Sequence, residues 1–168
     1  MSASLAQVSF VELLDWNESE AGKWRAWFEA QPAAVLEVPV KVAKTNSVRE
    51  FLLHIFAVEL RYAERLNDQK VTSYEELPTA SVADLFGIGD LARAGLRAYL
   101  ANTTDDRLKV VQEFQTRTAG TLRASERKMF AHTMLHSVRH WAQLATALRE
   151  AGYETNWGKD FLMTEVME

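Results

Sequence analysis

Three of the four histidines in this chain, His132, His136 and His140, recur at four-residue spacing within SERKMFAHTMLHSVRHWAQLATALREAG. On an α-helix each step of four turns a side chain by about 40° and advances it about 6 Å. His136 and His140 then stand one above the other on nearly the same face, the spacing at which two imidazoles can ligate one ion. His132 lies about 12 Å along the axis from His140, too far for all three to meet one ion on a straight helix. A third ligand has to come from another helix, and His54 is the remaining histidine. Neutral imidazoles suit zinc, nickel, iron or copper, and three protein ligands leave a position for water or substrate, the pattern of catalytic centres. The competing reading is a set of satisfied core histidines. Spacing alone leaves both open.

Other chemistries lack their residues. With no cysteine, disulfides, thiolate metal sites and a cysteine nucleophile are excluded. There is no HExxH, no Glu-x-x-His and no Cys-x-x-Cys-His, although two histidines on facing helices could hold a b-type haem. Gly87-Ile88-Gly89 lacks the further glycine and the preceding strand of a phosphate-binding turn. A net charge of -4 with scattered basic residues leaves no footprint for nucleic acid. No apolar run approaches the ~20 residues of a membrane span, and the N-terminus lacks a basic stretch followed by an apolar one, so a cytoplasmic protein is expected.

The histidines are carried by helices. The 168 residues fit one domain, 1–168. Ser125 caps the histidine helix, Glu126 sits in its first turn and Gly152 stops it, while Phe130, Thr133, Trp141, Leu144 and Leu148 form its apolar stripe. Stripes and caps place helices near 5–30, 47–67, 81–102 and 125–151, the second opening on a capping box, Ser47 to Glu50. Gln31–Thr45 is a proline-marked connection with extended character, and a short turn is expected at Ser73–Leu77. Arg107–Leu122 loses helical period and reads as a short strand or irregular hairpin crossing over to the last helix. The fold class is therefore all-α, an antiparallel four-helix bundle with a long crossover. Two polar residues fall on apolar stripes. Asn17 reads as a buried amide or a group near the site; Glu59 reads as a structural hydrogen-bond partner or a carboxylate that orients the nucleophile. Five tryptophans exceed what a small core readily hides, which suggests a homodimer through Trp- and Phe-rich helix faces.

These residues carry a resemblance. The phrase Phe51-Leu52-Leu53-His54-Ile55-Phe56-Ala57-Val58-Glu59, and His132-x3-His136-x3-His140 followed by Gln143, Leu148, Arg149 and Gly152, resemble the DinB/YfiT-like metalloenzyme family over essentially the whole chain. The resemblance implies a four-helix bundle whose divalent metal (zinc, nickel or iron) is bound by His54, His136 and His140, with His132 at a frequent but non-ligating position. Where the family often reads His-Arg-Gly-Gln, this chain has His140-Trp141-Ala142-Gln143. Relatives of this kind include S-transferases and isomerases that use low-molecular-weight thiols. The expected function is a metal-dependent enzyme that activates water or such a thiol toward a small-molecule substrate. The alternative is a non-catalytic metal- or ligand-binding bundle, a stress-linked interaction module. A substrate-sized pocket opening onto the three imidazoles would discriminate between them.

Overall fold

A computed structural model describes residues 8–116 and 119–166. In chain order the elements are α1 (Phe10–Glu29), α2 (Val48–Leu66), α3 (Val82–Asn102), α4 (Asp105–Lys109), β1 (Val111–Thr116), β2 (Gly120–Ser125) and α5 (Glu126–Glu150). The four long helices form the bundle and coincide closely with the expected spans. The start of the first is the exception. Ser9 accepts from the Glu12 backbone N–H at 3.2 Å while the Glu12 carboxylate accepts from Ser9 N–H at 2.6 Å, a capping box that opens the helix at Phe10. Residues 5–7 of the expected helix lie outside the described residues. Ser47 caps α2 as expected, but Glu50 reaches back to the N–H of Asn46 rather than to that of Ser47. At the end of α5, Gly152 takes φ +85°, with Gly152 N–H bonded to Arg149 O and Tyr153 N–H to Leu148 O. That is a Schellman stop, and the left-handed residue in it favours glycine.

The connection after α1 differs from its extended reading. Ala33–Glu37 is a 3-10 helix, because this turn tucks Val35 and Leu36 into the core, and extended pairing is limited to a bridge between Pro39 and Ser47. Between α2 and α3 the short turn falls at Tyr74–Glu76. The crossover before α5 is an antiparallel hairpin, paired from Val111↔Ser125 to Thr116↔Gly120. It is anchored by Glu126, fully buried, which accepts from Tyr99 Oη at 2.8 Å, Arg107 Nε at 2.7 Å and Gln112 Nε2 at 2.8 Å.

Helix α2 packs mainly on α3 and then on α5. The approach of α2 to α3 depends on missing side chains. A Cβ on Gly89 would lie 2.6 Å from the Phe56 ring, and one on Gly95 would lie 3.1 Å from Ala63 Cβ. The core has two apolar clusters, one around Trp24, Phe28, Phe51, Phe56, Phe86 and Trp141, the other around Leu14, Leu66, Leu96, Tyr99 and Phe130. Each long helix also contributes a buried polar residue to one shared group: Asn17, Glu59, Arg93 and Ser137. Glu59, fully buried, accepts from Asn17 Nδ2 at 3.0 Å, Ser137 Oγ at 2.5 Å and Arg93 Nη1 at 3.3 Å. Burial pushes its carboxyl up, and the Arg93 guanidinium, Asn17 and Ser137 draw it back.

The tryptophans face inward. Trp24 stacks on Trp141 at 5.6 Å and meets Trp27 and Trp157 edge-on, while Trp16 meets Phe161 of the tail. Trp27 Nε1 donates to Glu154 O, which ties the tail to the end of α1. The tryptophan content that suggested a paired surface is thus largely absorbed within one chain. No helix among the described residues is long and apolar enough to cross a membrane.

Candidate metal centre

The histidines are positioned by α2 and α5. His54 lies in the second turn of α2, whose flanking Phe51, Leu52, Ile55 and Phe56 are all fully buried and fix its rotation. On α5, Thr133, Ser137, Trp141 and Leu144 face the core, which sets His136 and His140 on the adjoining flank toward α2. The result is that one ring nitrogen from each of His54, His136 and His140 lies within 4.8 Å of the others. His54 Nε2 and His136 Nε2 are 3.1 Å apart. Two nitrogens about 2.0–2.1 Å from a tetrahedral ion would be separated by roughly 3.3 Å, so this pair is already at ligating spacing. His132 is outside the trio. It is exposed, with its ring 5.3 Å from Tyr62 and 5.7 Å from His136.

The protonation states suit a cation. His140 Nδ1 faces Gln143 Oε1 at 2.6 Å. A carbonyl oxygen only accepts, so Nδ1 carries the proton and Nε2 keeps its lone pair. Burial holds the His136 imidazole down to about 2, with the neighbouring His140 and His54 adding to the effect. His140 is lowered as well, chiefly by burial. His136 Nδ1 is buried and has no hydrogen-bond partner among the described residues. Three neutral imidazoles gathered at one point form a donor set that fits a divalent ion of borderline softness.

The trio lies at the wall of an open cavity of about 380 Å³. Its other lining residues include Val58, Arg61, Tyr62 and Arg65 of α2, Tyr74 of the following turn, Leu122 of the hairpin, and His132 and Arg139 of α5. Asn17 and Glu59 are not among them; they belong to the buried layer behind Ser137. Trp141, where the resembling family often has arginine, is core. It stacks on Trp24, and its Nε1 lies 3.4 Å from Asn17 Oδ1.

The sequence model of the DinB family matches residues 1–166. The chain belongs to the DinB family. Among solved structures, this DinB-family chain is similar to YfiT from Bacillus subtilis, described as a probable metal-dependent hydrolase with an unusual four-helix bundle topology. The TM-score is 0.66 at 16% identity, over 91% of this chain and 95% of that one. A DinB-like protein from Bacillus cereus gives a TM-score of 0.61 at 16% identity over 87% of this chain and 95% of that one. The DinB-like protein YjoA from Bacillus subtilis gives 0.59 at 17% identity over 87% and 96%. At these identities the likeness is one of fold. No curated protein matches the chain by sequence.

The basic residues of the cavity in this DinB-family chain were not expected from the sequence, although their spacing signals them. Arg61 and Arg65 follow His54 by seven and eleven residues, and Arg139 follows His136 by three. Those offsets keep each on the flank of its histidine. Extending the His54 and His136 faces along their helices would have found them.

Proposed function

We propose that the protein is a metal-dependent enzyme in which His54, His136 and His140 hold one divalent ion and act on a small molecule bound in the adjoining cavity. The observation that carries this reading is the convergence of three imidazoles at the wall of an open, substrate-sized cavity. A purely structural cluster has no need of that opening, which weighs against the non-catalytic alternative. When bound, the ion supplies Lewis acidity and depresses the pKa of the water or thiol it polarises. The chain's own residues do the rest. Gln143 fixes the His140 tautomer, and the Phe51 ring, edge-on to His140 at 5.1 Å and parallel to His54 at 6.4 Å, limits the tilt of both imidazoles. Glu59 and Asn17 act at one remove: Glu59 holds Ser137, the neighbour of His136 on α5, and Asn17 holds Glu59.

Hydrolysis is the first reaction to test, in keeping with the description of YfiT. Transfer to a low-molecular-weight thiol is the second, in keeping with the family resemblance. Elemental analysis of tag-free protein should find one equivalent of zinc, nickel or iron. His54→Ala, His136→Ala and His140→Ala should each abolish it, and His132→Ala should leave it intact. Uptake of no metal, or loss on His132→Ala but not on His54→Ala, would overturn the proposal. A panel of electrophilic substrates, with and without added thiol, then separates hydrolase from transferase. Light scattering at micromolar concentration distinguishes one chain of 19.1 kDa from the pair the sequence suggested.

A further inference from the structure

The walls of the cavity carry a second chemistry besides the imidazoles. Lys44, Arg61, Arg65 and Arg139 all line it, and among the described residues no Asp or Glu does. In a chain of net charge -4 that is a local reversal of sign. The four cations have no carboxylate beside them in the cavity to offset their charge. Arg93, Arg97 and Arg107 each close on a carboxylate, whereas none of the four forms a salt bridge among the described residues. Arg61 and Arg65 are nevertheless held in place. Arg61 Nη1 donates to Thr72 O, while Arg65 donates to Arg61 O at 3.0 Å and to Gln115 O at 3.1 Å. Carbonyls orient a guanidinium without neutralising it. Arg139 reaches the trio itself, its Nη2 3.4 Å from His140 Nε2. The rings of Tyr62 and Tyr74 complete the walls, and the guanidinia of Arg65 and Arg61 lie 5.6 and 5.4 Å from them.

From this arrangement we infer that the cavity selects anionic small molecules, with a carboxylate or phosphate held by Arg139 and the Arg61/Arg65/Lys44 wall and an apolar body against Tyr62 and Tyr74. The inference rests on the proposed function for the reaction but not for the binding. Uncompensated cations around a concave site attract anions and hold them by charge-assisted hydrogen bonds, bidentate where arginine is the donor. Such a group also brings the rest of the molecule beside the imidazoles, because Arg139 and His140 are neighbours.

The test uses chelator-treated, metal-free protein and ligand-observed NMR with benzoate, phenyl phosphate and uncharged benzamide. Benzoate or phenyl phosphate should bind at least about tenfold more tightly than benzamide, and whichever anion binds better identifies the headgroup. Arg139→Gln and Arg61→Gln should each weaken the anion about tenfold and leave benzamide unchanged. Arg139→Lys should restore part of the loss, and Arg123→Gln, on the exposed hairpin, should have no effect. His54→Ala should leave anion binding intact, which separates this inference from the metal reading. Benzamide binding as well as the anions, or anion binding indifferent to both arginine changes, would overturn it. So would anion binding that requires added zinc. A protein that takes up no metal yet discriminates benzoate from benzamide would sink the metal reading and leave this one standing. The wild-type comparison decides even if an arginine variant fails to fold, which circular dichroism of each variant would reveal.

Discussion

Gln143 is one residue whose neighbour decides its meaning. Its side-chain oxygen sits 2.6 Å from His140 Nδ1 and so determines which imidazole nitrogen is left to bind an ion. Gln143→Leu should leave the fold intact and weaken metal binding roughly 10- to 100-fold, read by competition with a chromogenic chelator. The His136 imidazole makes a second prediction. Its ordinary value is 6.5 and burial first of all lowers it to about 2 in the folded chain. The unfolded chain therefore takes up a proton that the folded one refuses, so the stability tied to this group is complete above pH 6.5 and is lost as pH falls toward 2. Metal-free protein should lose roughly 1.4 kcal/mol per pH unit from this residue once below about pH 6. Denaturant melts at pH 7 and pH 5 measure the slope, and His136→Gln should flatten it. The juxtaposition of His136 and His140 was legible in the sequence because four-residue spacing is a local property, whereas His54 joins them only through the packing of α2 on α5. Which cations share a cavity with the trio was not legible, since that depends on which faces of α2 and α5 meet a loop and a hairpin far along the chain.

Among the elements, the contact of α2 with α3 offers a matched pair of substitutions. Gly89→Ala would drive a methyl into Phe56 and the Arg93 guanidinium, so it should destabilise by about 1–3 kcal/mol. Gly87→Ala, two residues before that contact with nothing within 4 Å, should be neutral or stabilise by up to about 1 kcal/mol through helix propensity. Urea titration of both variants distinguishes close packing from a general intolerance of α3 to side chains. The long helices were readable because each repeats an apolar stripe over five turns or so, and the serine caps of α2, α3 and α5 marked their starts, whereas the Ser9 cap of α1 did not register. Helix α4 was not readable: its five residues bury nothing and repeat no stripe. The 3-10 turn at Ala33–Glu37 hid for a related reason, since so short an apolar run suits either conformation. Glu126 looked like a favourable charge in a first helical turn, yet it is the buried acceptor for Tyr99, Arg107 and Gln112. Glu126→Ala strands those donors and should cost about 3 kcal/mol or more, with the hairpin loosening first in hydrogen exchange.

For the whole molecule, metal binding and folding are linked. An ion present at a thousandfold excess over its dissociation constant would stabilise the bundle by about 4 kcal/mol, and chelation should lower the melting temperature reversibly. What brings the ligands to one height has a further consequence. Glu59 on α2 reaches Ser137 on α5, Arg93 on α3 and Asn17 on α1, so a single carboxylate touches all of the long helices. It works as a vernier. Sliding α1, α3 or α5 by a turn, about 5.4 Å, removes a donor from the carboxylate, and sliding α3 also leaves its charge buried without Arg93. The same slide between α2 and α5 would carry His54 away from His136, so the mark that aligns the bundle also aligns the site. Replacing the set together (Asn17→Leu, Glu59→Met, Arg93→Met and Ser137→Ala) should leave helical content and melting temperature no lower. It should nonetheless spread the chain over several alignments, seen as broadened histidine resonances and substoichiometric metal.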